Sequence, residues 1–221
     1  ELAAMKRDAV LVNFARATIV DQAALIAALA SERIGGAILD LADPEPLPPD
    51  PPLSTTPAID AKYAKRVYVP DLAISNIIDG RIRVYDALGG RFLGMISTAY
   101  VGNMVLSGKR DEVYVTTTHM SRSTRGERTD VLEVYGADDL AFKYEVVIPP
   151  KRAQALNYRY LISSTADGRF VLIQNATPAT SITVVDLAQR KAVAEIPNAG
   201  CWGALPAQSH PMRFSSLCGD G

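Results

Sequence analysis

The stretch that decides the fold is residues 130–149, DVLEVYGADDLAFKYEVVIP. Apolar and polar residues alternate along it, a turn rich in Asp and Gly interrupts them, and an apolar run resumes toward Ile148. Alternation with a period of two marks strands with one buried face, so the stretch reads as a hairpin. Two related copies frame it, residues 80–96 (GRIRVYDALGGRFLGMI) and residues 181–197 (SITVVDLAQRKAVAEIP). Val84, Val134 and Val184 stand at steps of 50, and Ile82, Leu132 and Ile182 keep the same step. A further strand precedes each copy: RVYV at 66–69, EVYV at 112–115 and RFVLI at 169–173. A unit of several strands recurring at this spacing predicts propeller blades, and a generic β-meander is the plainer alternative.

Composition bounds the function classes. The 221 residues suffice for one large domain or two small ones. With 48% hydrophobic and 21% charged residues, a packed core is expected rather than disorder. Lys+Arg number 23 against Asp+Glu 24, which favours neither nucleic acid nor an anionic membrane surface. The longest wholly apolar run, residues 23–30, is far too short to span a bilayer. The sequence opens on Glu1 without a signal-peptide pattern, so the natural start is expected upstream.

Residues 1–53 do not read as a blade. Residues 9–13 (AVLVN) form a short apolar strand, and Asp21 is a good N-cap for a helix over 22–32 with Leu25, Ile26 and Leu29 on one stripe. Gly35-Gly36 is expected to stop that helix, and residues 37–41 (AILDL) form a second strand. Strand, helix and strand so close together predict a parallel βαβ unit, whose small sheet would leave apolar faces uncovered. Six prolines then crowd residues 43–52 and exclude a helix or a central strand there. Arg16, Asp40 and Glu45 lie at or beyond predicted strand ends, where doubly wound sheets bind ligands. An arginine there can clamp a carboxylate, although all three also read as solvated loop charges.

The motifs VLVNFAR, IVDQAALIAAL and GAILDLADPEPLP together resemble the NAD-dependent D-isomer 2-hydroxyacid dehydrogenases. By that resemblance Arg16 is the substrate-carboxylate arginine, Asp40 the aspartate beside the nicotinamide, and Glu45 the glutamate that holds the catalytic histidine. The segment departs from the family in three ways. Ala17 follows the arginine where the family has glycine, no glycine-rich phosphate turn precedes the segment, and no histidine occurs before His119. The resemblance implies NAD, but a fragment lacking these parts is expected not to bind it.

Residues 54–65 are a mixed polar junction, and from residue 66 the repeat takes over. Residues 121–130 (SRSTRGERTD) read as a solvated hairpin loop, with a binding loop as the alternative. Asn175-Ala176-Thr177 fits a glycosylation sequon of the kind that also arises by chance. His119 and His210 have no second ligand at metal spacing, so no metal site is expected and both read as structural or surface residues. Cys201 and Cys218 are either two free thiols or a bridge, which would imply an oxidising compartment.

FLGMISTAYVGNMVLS, STRGERTDVLEVY, IPPKRAQALNY, LIQNATPATSITVVDLA and the GCWGALP…CGDG pair closely resemble the heavy subunit of the quinoprotein amine dehydrogenases, the aromatic (aralkylamine) branch more than the methylamine branch. That resemblance implies a seven-bladed periplasmic propeller paired with a small subunit carrying tryptophan tryptophylquinone. The amine becomes aldehyde and ammonia there, and electrons pass to a small copper protein. It further implies that Cys201 and Cys218 form a disulfide. Tyr100 stands where the family has an aromatic, usually Phe, at the substrate-channel entrance, with ordinary inter-blade packing as the alternative.

The expected architecture is therefore mainly β. A partial propeller of about three blades over 66–221 follows a small α/β, Rossmann-like fragment over 1–53. The leading function is an amine dehydrogenase heavy-subunit fragment. The rivals are a nicotinamide-dependent oxidoreductase, whose home would be the cytoplasm, and a propeller used purely for protein binding. The chain alone is expected to be inactive toward either substrate class.

Overall fold

A computed structural model describes residues 1–13, 19–39, 58–71, 78–122, 124–154, 158 and 160–219. The chain separates into two compact units, residues 1–56 and 57–221.

In the first unit a 3-10 turn at Leu2–Ala4 precedes strand β1 (Val10–Asn13), helix α1 (Gln22–Ala30) and strand β2 (Gly36–Leu39). β1 and β2 pair in parallel from Val10↔Gly36 to Asn13↔Leu39, as a βαβ unit requires. The Asp21 carboxylate accepts the Ala24 N–H at 3.0 Å and so caps α1. Leu25, Ala28 and Ile34 are the buried centre, with Leu11, Leu29 and Ala37 packed against them. Val10, Val12 and Ile38 remain about half exposed.

The Gly35-Gly36 stop is a correction. α1 ends at Ala30, where the Ser31 hydroxyl donates to the Ala27 carbonyl at 2.7 Å and Glu32 turns left-handed at φ 51°. Gly35 serves a different need, because a Cβ there would lie 2.8 Å from the Asp8 carbonyl oxygen.

The second unit is built of antiparallel strands: β3 (Arg66–Asp71), β4 (Gly80–Asp86), β5 (Phe92–Leu106), β6 (Glu112–Arg122), β7 (Arg125–Gly136) and β8 (Phe142–Ile148) in one hydrogen-bonded order. β9 (Ile162–Ser164), β10 (Phe170–Asn175), β11 (Ser181–Asp186) and β12 (Lys191–Pro197) make a four-stranded sheet. β13 (Cys201–Pro206) and β14 (Phe214–Cys218) form a separate hairpin.

β5 is shared. Its first half pairs with β4, ending at Gly80↔Ala99, and its second half pairs with β6, beginning at Tyr100↔Thr118. The first blade is thus β3, β4 and early β5. The second is late β5 with β6, β7 and β8. The third is β9 to β12, and β13–β14 opens a fourth. This is a partial propeller, mainly β, and among the described residues no sheet closes on itself.

The 50-residue period has a packing cause. Ile82 and Val84 meet Val113 and Val115 of the next blade. Leu132 and Val134 meet Ile162, Val171 and Ile173 of the blade after. Ile182 meets Ala204 on β13. Each repeated position is therefore a residue of its blade's next-to-last strand pressed onto the following blade, and burying each such side chain contributes about 1.5–3 kcal/mol. The turns repeat too, with left-handed residues at Gly90, Leu140 and Arg190. A register shift follows Val84, Val134 and Val184 alike.

Residues 121–130 are a second correction. Most of the segment lies inside β6 and β7, whose pairing continues to Arg122↔Arg125, so it is the exposed end of a long ribbon rather than a loop.

Candidate functional site

Antiparallel order brings the late end of each second and fourth strand to the early end of each first and third strand. Buried polar side chains gather at that end of the blades. Tyr100 lies there, at the point where β5 leaves one sheet for the next. The crossing needs an abrupt turn within a continuous strand. Left-handed angles at its two neighbours supply it: Ala99 has φ 44° and Val101 has φ 50°. Gly102 is required at this point, since a Cβ would collide with the Thr98 side chain. Tyr100 is half-buried in a strand, not in a loop.

Its backbone carbonyl accepts from Arg152 Nη2 at 2.6 Å and from the Thr117 hydroxyl at 3.4 Å. Arg152 is buried, and its Nε donates to Thr118 Oγ1 at 2.9 Å. Thr118 passes the bond on, donating to Asp130 Oδ1 at 2.7 Å, and Gln154 donates to the same hydroxyl at 2.8 Å. Asp130 also holds Arg128 in a two-point pair, Nε to Oδ1 at 2.8 Å and Nη2 to Oδ2 at 2.6 Å. Burial pushes the Arg152 guanidinium down to about 10, against the opposing pull of Asp130. Arg152 Nη1 is buried and has no hydrogen-bond partner among the described residues.

The network continues into the third blade. Ala153 N donates to the Gln174 carbonyl at 2.8 Å, and Gln174 Oε1 accepts from Gly203 N at 2.8 Å on β13. Asn175 is wholly buried, with Nδ2 donating to Ser181 Oγ at 2.9 Å and Thr183 Oγ1 at 2.8 Å. The sequon asparagine is therefore closed to a glycosylating enzyme in the folded chain. The disulfide implied by resemblance is present: Cys201 and Cys218 face each other across β13 and β14 and are bonded.

Arg16, Asp40 and Glu45 lie outside the described residues. The reading of His119 as a histidine without a nearby ligand is corrected, since its Nε2 lies 2.9 Å from Glu133 Oε1. Linear spacing hid the pair, which forms only once β6 and β7 align.

The chain has one tryptophan, Trp202, so it cannot itself form a quinone made from two. The Asp21 carboxylate caps the N-terminus of α1, so that helix end offers no phosphate site.

The comparisons divide the chain in the same way as its structure. The family described as methylamine dehydrogenase heavy chain (MADH) matches residues 63–221. The D-isomer specific 2-hydroxyacid dehydrogenase NAD binding domain matches residues 1–61. The methylamine dehydrogenase heavy chain of Methylobacillus flagellatus is 27% identical over 177 residues, covering 76% of this chain and 44% of that protein. The same subunit of Paracoccus versutus is 28% identical over 173 residues, with 78% and 39% covered. The glyoxylate reductase of Korarchaeum cryptofilum is 53% identical over 53 residues, covering 24% of this chain and 16% of that protein. This chain thus spans less than half the length of the heavy chains it matches. While its residues 1–61 match the 2-hydroxyacid dehydrogenase NAD binding domain, the match over residues 63–221 shows that the chain belongs to the methylamine dehydrogenase heavy chain family.

Proposed function

We propose that the propeller part of this chain acts as the scaffold of a periplasmic amine dehydrogenase, docking a light subunit that carries tryptophan tryptophylquinone. The observation that supports this most is the setting of Tyr100. Its backbone is fixed by two left-handed neighbours and the buried Arg152, while its side chain is left half-exposed at the polar end of the blades. A rigidly held aromatic at such an end suits the wall of a substrate entrance. The quinone, supplied by the light subunit, is the electron sink for converting a primary amine to aldehyde and ammonia. A small copper protein is the proposed electron acceptor. We assign aromatic amines as the preferred class because the motifs resemble the aralkylamine branch more than the methylamine branch, and the Tyr100 hydroxyl is a departure from the family's usual Phe.

The test mixes the purified chain with such a light subunit and follows amine-dependent dye reduction. Tyr100→Ala is expected to change the ratio of aromatic-amine to methylamine turnover while leaving the melting temperature near that of the parent. A large loss of thermal stability with an unchanged ratio would make Tyr100 a packing residue. The chain by itself is expected to reduce no dye with amines and form no NADH from 2-hydroxyacids. Robust NADH formation would make the dehydrogenase reading primary.

A further inference from the structure

We propose that His119, Glu133 and Glu145 form a divalent transition-metal site on the second blade. The three side chains come from three adjacent strands, β6, β7 and β8, and one ligand atom from each lies within 4.8 Å of the others. Glu133 and Glu145 are direct cross-strand partners. Like charges placed opposite each other on a sheet destabilise it unless something compensates them. Glu133 is only 6% exposed, which sharpens the cost. Among the described residues no Lys or Arg forms an ion pair with either glutamate, and Glu133 has only the His119 ring and the Tyr135 hydroxyl as partners. With a neutral imidazole the cluster carries two negative charges, which a dication cancels.

The donor set selects the metal. One imidazole nitrogen with two carboxylates suits Zn2+, Co2+ or Mn2+, whereas Mg2+ and Ca2+ favour all-oxygen shells. Bond lengths near 2.0–2.2 Å put tetrahedral ligand atoms about 3.4 Å apart, so the cluster must contract slightly. His119 and Glu145 are exposed and free to do so. Glu133 is already oriented, because the Tyr135 hydroxyl donates to its other oxygen, Oε2, at 2.9 Å, the kind of outer partner that metal-bound carboxylates keep. The bound ion would tie the second, third and fourth strands of one blade together at the rim and leave a coordination position open to solvent.

The test uses the full chain freed of metal with EDTA and titrated with Co2+, read by visible absorption, and with Zn2+, read by calorimetry. One equivalent is expected to bind, with a Co2+ band at tetrahedral or five-coordinate intensity and a raised melting temperature. His119→Ala and Glu145→Gln, both at exposed positions, are each expected to weaken binding at least about a hundredfold, the upper end of the loss seen when only an outer-shell partner is removed. His210→Ala is expected to leave it unchanged. Absence of saturable binding would overturn the proposal, as would binding that survives both cluster substitutions or falls with His210→Ala.

Discussion

Replacing Asp130 with asparagine tests whether the buried network is one electrostatic unit. The Asp130 side chain is fully buried and accepts from Thr118, from two nitrogens of Arg128 and from the Arg152 backbone N–H, the last at 3.3 Å. Asparagine keeps the volume, loses the charge and offers one accepting oxygen in place of two. Arg152 then stays buried as a cation with its counter-charge gone. Removing one partner of a buried pair costs about 3–5 kcal/mol. In a unit of this size that lowers the melting temperature by about 6–20 °C. Urea unfolding followed by far-ultraviolet circular dichroism and Trp202 fluorescence measures it. Arg152→Met in the Asp130→Asn background removes the stranded charge, so the double variant is expected to be less destabilised than the two single losses added together. A loss under about 0.5 kcal/mol for Asp130→Asn, the scale of an ordinary surface change, would refute the reasoning.

Other consequences follow from the same contacts. Leu132→Ala, at a fully buried residue between the second and third blades, is expected to cost about 2–5 kcal/mol, while Val147→Ala, at a residue 62% exposed, stays within about 0.5 kcal/mol; equal effects in denaturant titrations would contradict the blade packing. Opening the 17-residue disulfide loop with Cys201→Ser and Cys218→Ser is expected to cost roughly 3 kcal/mol, and intact protein under non-reducing conditions should weigh two hydrogens less than its reduced form. Glu195 is held below the usual carboxylate range by the Lys151 amine and the Ser181 hydroxyl, Asp186 by the Gln189 backbone N–H, and Asp167 by the Thr165 hydroxyl. Their stabilisation is complete above the unfolded carboxylate range near about 4 and is lost as pH falls through the lower folded values, so melting temperature should drop below that pH rather than stay level. Tyr114 and Tyr135 are pushed above the ordinary phenol range by burial, with Glu112 and Glu133 adding to it. The unfolded chain ionises first, so stability should also decline above about pH 10.

The blades were legible because the next-to-last strand of each blade repeats the same demand. Ile82, Leu132 and Ile182 all face the next blade, and a repeated contact leaves a repeated residue. The βαβ unit was legible from Asp21 and the two short apolar strands, though the helix end was misplaced because Gly35 answers to Asp8 and not to α1. The continuity of β5 was not legible, since the residues that bend it, Ala99 and Val101, are not the glycines that usually signal such a backbone. The polar network was hidden for another reason. Arg152 reaches Tyr100 across 52 residues and Asp130 across 22, and an arginine after a Pro-Pro turn reads as solvated until the blades align. The cysteines could not be paired from spacing, whereas the resemblance implied the bridge that is present.

The central claim is that this propeller fragment receives a quinone-bearing light subunit, and sedimentation velocity of the two purified proteins tests it most directly. The account predicts a saturable one-to-one complex between the light subunit and chain whose circular dichroism is strand-dominated. A strand-rich, folded chain that sediments independently of the light subunit at every concentration ratio would contradict it.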